Sequence, residues 1–277
     1  MKKNFNIGIV GLGYVGKALL NGFSSENIYT FDTTESCSEK TLKDLSSKSD
    51  IIFICVPTPM NENGSCCLDI VNQVLHDLNS LANNQLVVIK STVPPGTCKN
   101  FQNKYKNLDI IFNPEFLTEA NFFQDFMNQD RIILGGKKLN LAEELYKKHF
   151  PKSKIIMLDY AEAEMVKYFS NSFLALKVSF ANEIHSLCDK LNIDYNQVVK
   201  TAIKDVRIGS SHLSVPGPDG EYGFGGTCFP KDLSALLSVF NDSKIESIVL
   251  KAAWERNQNI DRRKQDWKLL KGRAVVE

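Results

Sequence analysis

Apolar residues fall in two rhythms along this chain, and the change between them divides it. Up to about residue 158, short β-branched runs end in turn residues: Asn6–Val10, Ile28–Phe31, Ile51–Val56, Leu86–Lys90, Asp109–Phe112 and Arg131–Leu134. Segments with helical spacing lie between several of them, at Gly16–Phe23, Leu68–Leu81 and Leu141–Phe150. That alternation predicts a parallel sheet wrapped by helices. A run that is apolar throughout, such as Ile51-Ile52-Phe53-Ile54-Cys55-Val56, suits a strand covered on both faces. Past residue 158 the strand signal stops. From Ala161 to about Leu191 there is neither Pro nor Gly, and Met165, Phe169, Leu176 and Phe180 recur at helical spacing beside Val166, Phe173 and Leu174. A helix of ~30 residues is ~45 Å long, and this one is expected to pack against a second copy of the chain. More helices are expected at Asn196–Ile203, Lys231–Phe240 and Ile245 to about Lys268, with a Gly/Pro-rich loop at Val215–Gly226. The fold class read from these rhythms is α/β. A doubly wound Rossmann sheet occupies 1–158, and an all-α dimerisation and substrate domain with a long central helix occupies 159–277.

Composition narrows the class without naming a chemistry. Lys and Arg number 33 against 32 Asp and Glu, a net charge of +1, so neither nucleic acid nor an anionic membrane is an expected partner. No stretch approaches the 18 apolar residues of a membrane span. The start, Met1-Lys2-Lys3-Asn4-Phe5, runs straight into strand-like sequence without a cleavage site after an apolar run. Seven cysteines, at 37, 55, 66, 67, 98, 188 and 228, are odd in number and form no CxxC pair. They read as free thiols of a reducing, cytoplasmic compartment rather than zinc ligands. His76, His149, His185 and His212 lack ligand spacing, and no metal is expected.

The first chemical motif is Gly11-Leu12-Gly13-Tyr14-Val15-Gly16, between a strand and a helix. Gly11 permits a tight turn, Gly13 lets backbone approach a pyrophosphate, and Gly16 lets the helix pack close to the sheet. The helix N-terminus then presents unpaired N–H groups to phosphate. Asp32 ends the next strand, where an acid can bond the ribose hydroxyls and repel a 2′-phosphate, favouring NAD over NADP. A tight structural turn is the alternative reading of the glycines alone.

The second motif is Gly223-Phe224-Gly225-Gly226-Thr227-Cys228-Phe229-Pro230-Lys231-Asp232. Its three glycines allow close backbone approach, and Pro230 suits the first turn of a helix. Cys228 sits at that helix start, where the dipole and Lys231 favour a thiolate able to attack an aldehyde. An ordinary cysteine at a helix start fits the same letters.

With these two motifs in hand, the chain resembles the UDP-glucose/GDP-mannose dehydrogenase family. The shared stretches are the glycine loop, Val56-Pro57-Thr58-Pro59, Ser91-Thr92-Val93-Pro94-Pro95-Gly96, Asn113-Pro114-Glu115-Phe116-Leu117-Thr118-Glu119, Lys167-Tyr168-Phe169-Ser170-Asn171, Lys177-Val178-Ser179-Phe180-Ala181-Asn182-Glu183, Arg207-Ile208-Gly209 and Gly223–Asp232. They follow the family's order over nearly the whole chain. Two departures stand out. Ala120 takes the place of a glycine. The chain also ends at Glu277, before the second Rossmann-like domain that holds uridine diphosphate, so that C-terminal domain is expected to be absent.

The resemblance implies a four-electron oxidation of a sugar primary alcohol to a carboxylate with two NAD, UDP-glucose to UDP-glucuronate being the first expectation. It implies Cys228 as the nucleophile, held in turn as thiohemiacetal and thioester. Lys167 and Asn171, four apart on one helix face, would stabilise oxyanions. Asp232 and Glu119 would handle water, assisted by Thr92. The cofactor would contact Gly11, Gly13, Tyr14, Val15, Gly16, Asp32, Thr58, Thr92, Glu119 and Lys231. The substrate would contact Glu115, Phe116, Leu117, Lys167, Asn171 and Gly225, with Arg207 reaching it from a neighbouring subunit of a homodimer built on the 161–191 helix. Two other readings stay open: a single-step hydroxy-acid dehydrogenase of the 6-phosphogluconate type, and a non-catalytic NAD-binding remnant.

Overall fold

The computed structural model describes residues 4–81 and 85–277; the Met1-Lys2-Lys3 start lies outside them. The chain divides into two compact units. One comprises Met1–Thr58 and Cys67–Lys167, the other Pro59–Cys66 and Tyr168–Glu277.

The first unit is built on a seven-stranded sheet. Its strands are β1 (Asn6–Val10), β2 (Asn27–Phe31), β3 (Ile51–Ile54), β4 (Leu86–Ile89), β5 (Asp109–Phe112), β6 (Arg131–Gly135) and β7 (Lys154–Leu158), in the order β2-β1-β3-β4-β5-β6-β7. The doubly wound sheet expected from the sequence is therefore present. Two details differ from that expectation. β6 meets β5 antiparallel, through the single pair Phe112 and Gly135, although β6 and β7 run parallel to each other. β7 was not expected at all. As an edge strand it is only partly buried, so it lacks the continuous apolar run that announces the inner strands.

Helices α1 (Tyr14–Gly22), α2 (Leu42–Lys48), α3 (Asp69–Leu81), α4 (Thr97–Lys104), α5 (Phe122–Met127) and α6 (Asn140–His149) wrap the sheet, together with the first turns of α7 (Tyr160–Leu191). Strand alternation sorts the core into two layers. Ile52 and Ile54 pack with Leu75, Leu78 and Phe101, while Ile51 and Phe53 pack with Leu19, Phe23, Phe126 and Tyr146. β1 pairs with β2 on one side and β3 on the other. The chain thus reverses direction across the sheet at β1, which opens a crevice beyond the strand ends. The short α2, α4 and α5 lie outside the expected helices. α2 carries a local signal in its cap, Thr41 Oγ1 accepting from the Asp44 amide at 3.1 Å. α4 begins at amides that bond a residue far away in sequence, Glu164 of α7.

The second unit holds the rest of α7, α8 (Tyr195–Ala202), α9 (Phe229–Asp242), α10 (Ile248–Arg256), a π-helical turn Asn257–Asp261 and a 3-10 turn Asp266–Leu269. The single helix expected from Ile245 to about Lys268 is therefore corrected: it starts later, converts to a π turn after Arg256, and breaks at Arg262. The long helix is present. Asn171, Ser172, Ala175, Ser179 and Asn182 are buried, whereas Phe169, Phe173 and Phe180 are 68, 53 and 60% exposed. Among the described residues no helix is long and apolar enough to cross a membrane.

Candidate active site

The glycine loop sits at the mouth of the sheet crevice. Gly11 has φ +94°, and a Cβ there would come within 2.8 Å of the Cys55 carbonyl oxygen. A Cβ on Gly16 would lie 2.0 Å from the Gly11 carbonyl, so α1 could not seat against the loop with any side chain at that position. Nothing lies within 4 Å of a Cβ built on Gly13; the backbone before α1 is open on that side. Gly13 caps α1 without a side-chain acceptor, which suits an outside anion. Asp32 is held beside this loop. Its Oδ2 accepts from the Leu12 amide at 2.6 Å, and its Oδ1 from the Thr34 and Glu35 amides at 2.7 and 2.9 Å. Burial works against its charge, but these amides outweigh burial and hold the carboxyl below the usual range. Open backbone at a helix start with a fixed carboxylate at the end of the second strand fits a dinucleotide. Further along the strand ends, the buried Thr58 donates to the Thr92 carbonyl at 2.8 Å.

The Glu115 loop leaves β5 at a buried polar cluster. Lys167, on α7, donates to the Glu115 carbonyl at 2.7 Å and to its Oε1 at 2.9 Å, and the Leu117 amide donates to Oε2 at 2.7 Å. Burial pushes the Glu115 carboxyl up, yet the Lys167 charge and the Leu117 amide outweigh it, and the group is held below its ordinary value. Phe116 lies between two cations, 5.0 Å from the Arg131 guanidinium and 5.5 Å from the Lys167 ammonium. Behind the loop, Lys90 donates to Asn113 Oδ1 at 2.8 Å, and the Asn113 amide donates to the Ile133 carbonyl at 2.7 Å. Burial pulls the Lys90 ammonium down to about 8. A cavity of about 420 Å³ opens here, lined by Lys90, Glu115, Phe116, Thr118 and Arg131 among others.

In the second unit the cysteine loop feeds α9. Cys228 is the N-cap residue, its sulfur 3.7 Å from Thr227 Oγ1. Pro230 occupies the first turn, as its missing N–H allows. Lys231 pairs with Asp232 Oδ1, and the Asn171 amide donates to Asp232 Oδ2 at 2.5 Å. Burial works against the Lys231 ammonium, but the charge of Asp232 and then the Cys228 thiol raise its affinity for the proton above the ordinary value. The 59–66 segment folds back onto the same helix, Ser234 Oγ donating to the Gly64 carbonyl at 3.0 Å.

Residues 29–150 match the NAD binding domain of the UDP-glucose/GDP-mannose dehydrogenase family, and residues 161–259 match its central domain. The chain belongs to the UDP-glucose/GDP-mannose dehydrogenase family. It is 37% identical over 219 residues to a UDP-glucose 6-dehydrogenase of Rickettsia bellii, covering 76% of this chain and 49% of that one. A UDP-glucose 6-dehydrogenase of Rickettsia typhi is 31% identical over 294 residues, covering 91 and 67%. A solved UDP-glucose dehydrogenase from Pyrobaculum islandicum superposes with a TM-score of 0.82 at 28% identity, over 92% of this chain and 68% of that one. The chain thus spans about half the length of the first of these relatives.

For this family member, the residues singled out from sequence fall in separate groups. The nucleotide loop with Gly11, Gly13, Tyr14, Val15, Gly16 and Asp32, the Thr58–Thr92 pair, and Glu115, Phe116 and Lys167 belong to the first unit. Asn171, Gly225, Cys228, Lys231 and Asp232 belong to the second. Lys167 and Asn171 share a helix face but bond different carboxylates, Glu115 and Asp232. Glu119 lies exposed on its loop. Arg207 is an exposed residue on a surface turn, ion-paired with Asp205. Cys37, Cys55, Cys98 and Cys188 are free thiols, and no group of three metal-ligating side chains exists among the described residues. Sequence reading missed Lys90 and Asn113 as supports of the Glu115 loop. A lysine ending an otherwise apolar strand was the available signal.

Proposed function

We propose that this protein oxidises the primary alcohol of a nucleotide sugar to a carboxylate, with UDP-glucose as the first substrate to test and UDP-glucuronate as the product. The observation that carries the reading is the Cys228 thiol at the start of α9 with Lys231, Asp232 and Asn171 joined in one hydrogen-bonded chain behind it. Family membership and the family's NAD-binding domain support it.

NAD, when bound, would supply the two-electron acceptor for each of the two oxidations. The glycine loop and Asp32 would hold its pyrophosphate and adenosine ribose. Cys228 would add its sulfur to the aldehyde carbon, giving a thiohemiacetal. The second oxidation would leave a thioester, and water would release the carboxylate and restore the thiol. The positive Lys231 and the helix start favour the thiolate needed for that addition. In this reading Lys167 and Asn171 would donate to an oxygen that gains charge, and Asp232 would accept a proton from water. A homodimer formed on the exposed face of α7 is part of the same reading.

The test is NADH release with UDP-glucose, counting NADH per sugar acid. Two per acid are expected, and Cys228→Ser should lower turnover by roughly 10³-fold or more while NAD still binds. Full turnover in Cys228→Ser would sink the cysteine mechanism, and one NADH per substrate whatever stands at 228 would favour a single-step hydroxy-acid dehydrogenase. NAD binding without reduction by any nucleotide sugar would leave a non-catalytic NAD-binding protein.

A further inference from the structure

The backbone that delivers Cys228 has little support from its own neighbours in sequence. Five residues precede the cysteine between Gly223 and Thr227, three of them glycine. They form no helix or strand. A segment of that composition is loose unless something outside it fixes it.

The fixing groups come from the end of α10, more than thirty residues on. Asn257 Oδ1 accepts from the Phe224 amide at 2.8 Å, while its Nδ2 donates to the Phe224 carbonyl at 2.9 Å. One side chain thus satisfies both backbone groups of one residue, as a neighbouring strand would. Asn257 is fully buried. It opens the π-helical turn Asn257–Asp261. A π turn inserts an extra residue into a helix and re-aims the side chains around it, and such turns gather at functional sites. At the far end of that turn the Arg262 guanidinium lies flat against Gly225, so that a Cβ there would fall 2.4 Å from Arg262 Cζ. The guanidinium is itself clamped on both edges. Nε and one terminal nitrogen bond Asp266 at 2.6 and 2.7 Å, and the other terminal nitrogen bonds Asp219 at 2.7 Å. Gly223 closes the arrangement, since a Cβ on it would meet Asn257 Oδ1 at 2.3 Å. Gly223 and Gly225 thus fit the two side chains, which a Cβ at either position would meet.

We infer that Asn257 and Arg262 are positioning residues for Cys228: the π turn after α10 holds the 223–227 backbone so that the sulfur has one fixed presentation at the start of α9. Their effect runs through Phe224, Gly225 and the peptide planes leading to Cys228. The inference rests on the cysteine mechanism proposed above. It also predicts that the segment past Arg256 is needed for the chemistry without contributing a reacting group.

The experiment compares Asn257→Ala, Arg262→Ala and Arg262→Lys with the wild type. The readouts are NADH release with UDP-glucose and the rate at which iodoacetamide alkylates Cys228, followed peptide by peptide by mass spectrometry. Cys188, buried in the same unit, is the internal gauge of general unfolding. Misplacing a reacting group by about an ångström costs on the order of 100-fold in rate, so kcat should fall about 10- to 100-fold. KM for NAD should stay within about twofold, because no uniform binding contact is removed. Cys228 alkylation should change at least about threefold as the loop is released, while Cys188 stays as protected as in the wild type. Arg262→Lys should recover less than half of the lost kcat, since an ammonium cannot lie flat on Gly225 or fork to two carboxylates. Wild-type kcat and Cys228 alkylation in Asn257→Ala and Arg262→Ala would overturn the inference. Alkylation of Cys188 and Cys228 rising together would also overturn it, showing that the two residues merely hold the unit folded. Normal turnover in the Cys228→Ser variant would instead remove the mechanism on which the inference rests, leaving the alkylation result to report on the loop alone.

Discussion

Lys167 and Glu115 show how tightly single side chains are committed here. Each is almost wholly buried, and a buried charge without its partner is strongly destabilising. Lys167→Met should therefore lower stability by about 3–5 kcal/mol, measured by urea denaturation, independently of any effect on catalysis. Pairing it with Glu115→Leu should recover part of that loss, because the orphaned carboxylate disappears with its partner. No recovery in the double variant would show that the pair matters through shape rather than charge. Asp32 makes a separate, local prediction. Fixed by three backbone amides, it needs no rearrangement to accept ribose hydroxyls. Asp32→Ala should weaken NAD binding by about 1.5–3 kcal/mol, roughly 10- to 100-fold in Kd, readable by calorimetry. Unchanged affinity would place the adenosine elsewhere.

At the scale of elements, the sheet's first strands are tied to α6 by one carboxylate. Glu26 precedes β2, accepts from the Phe5 amide at 2.8 Å, and contacts Lys148 and His149 of α6. Burial pushes the Glu26 carboxyl up, but Lys148, the Phe5 amide and His149 outweigh it and hold the group below its ordinary value. A depressed carboxyl adds stability that is present above the unfolded value and is lost as pH falls through the folded one. Thermal stability should therefore hold from neutral pH to about 5 and drop below about 4.5 as this carboxyl protonates. Glu26→Gln should be less stable at pH 7 by about 1–3 kcal/mol and show a shallower acid limb in Tm. An acid limb identical to wild type would mean that other carboxylates govern the fall. The same physics explains why α4 escaped sequence reading. Its N-terminus is satisfied by Glu164 from α7, 66 residues beyond Cys98, and nothing local signals a helix start.

At the scale of the whole molecule, α7 buries polar groups among apolar ones such as Ala163, Tyr168, Ala175 and Ala181 and leaves aromatics exposed. Its buried face carries Glu164, Lys167, Asn171, Ser179 and Asn182, while Phe169, Phe173 and Phe180 point outward, Phe169 and Phe173 with rings 6.2 Å apart. A row of aromatics left in water is costly, since each contributes about 1.5–3 kcal/mol once covered. If a second copy covers this row, as proposed, the protein should run as a dimer in light scattering. Phe173→Glu should then weaken association by at least about tenfold and give monomers at micromolar concentration. A wild-type monomer at the same concentration would refute that role for the stripe.

The sequence by itself determined the sheet, the nucleotide loop and the long helix. Short β-branched apolar runs, a glycine pattern after β1 and an uninterrupted helical period act over a few residues, so each can be read locally. It also nominated candidates for the chemistry, because family motifs keep their order along a chain. Tertiary structure alone decided which groups those residues bond. Lys167 turned out to be held by Glu115 and Asn171 by Asp232, although both stand one turn apart on the same helix. It alone decided that the helix expected from Ile245 to Lys268 breaks into a π turn and a clamped arginine that grip a glycine loop thirty residues earlier. Those pairings join positions far apart in sequence, and composition carries no record of which distant group will satisfy a buried amide or charge.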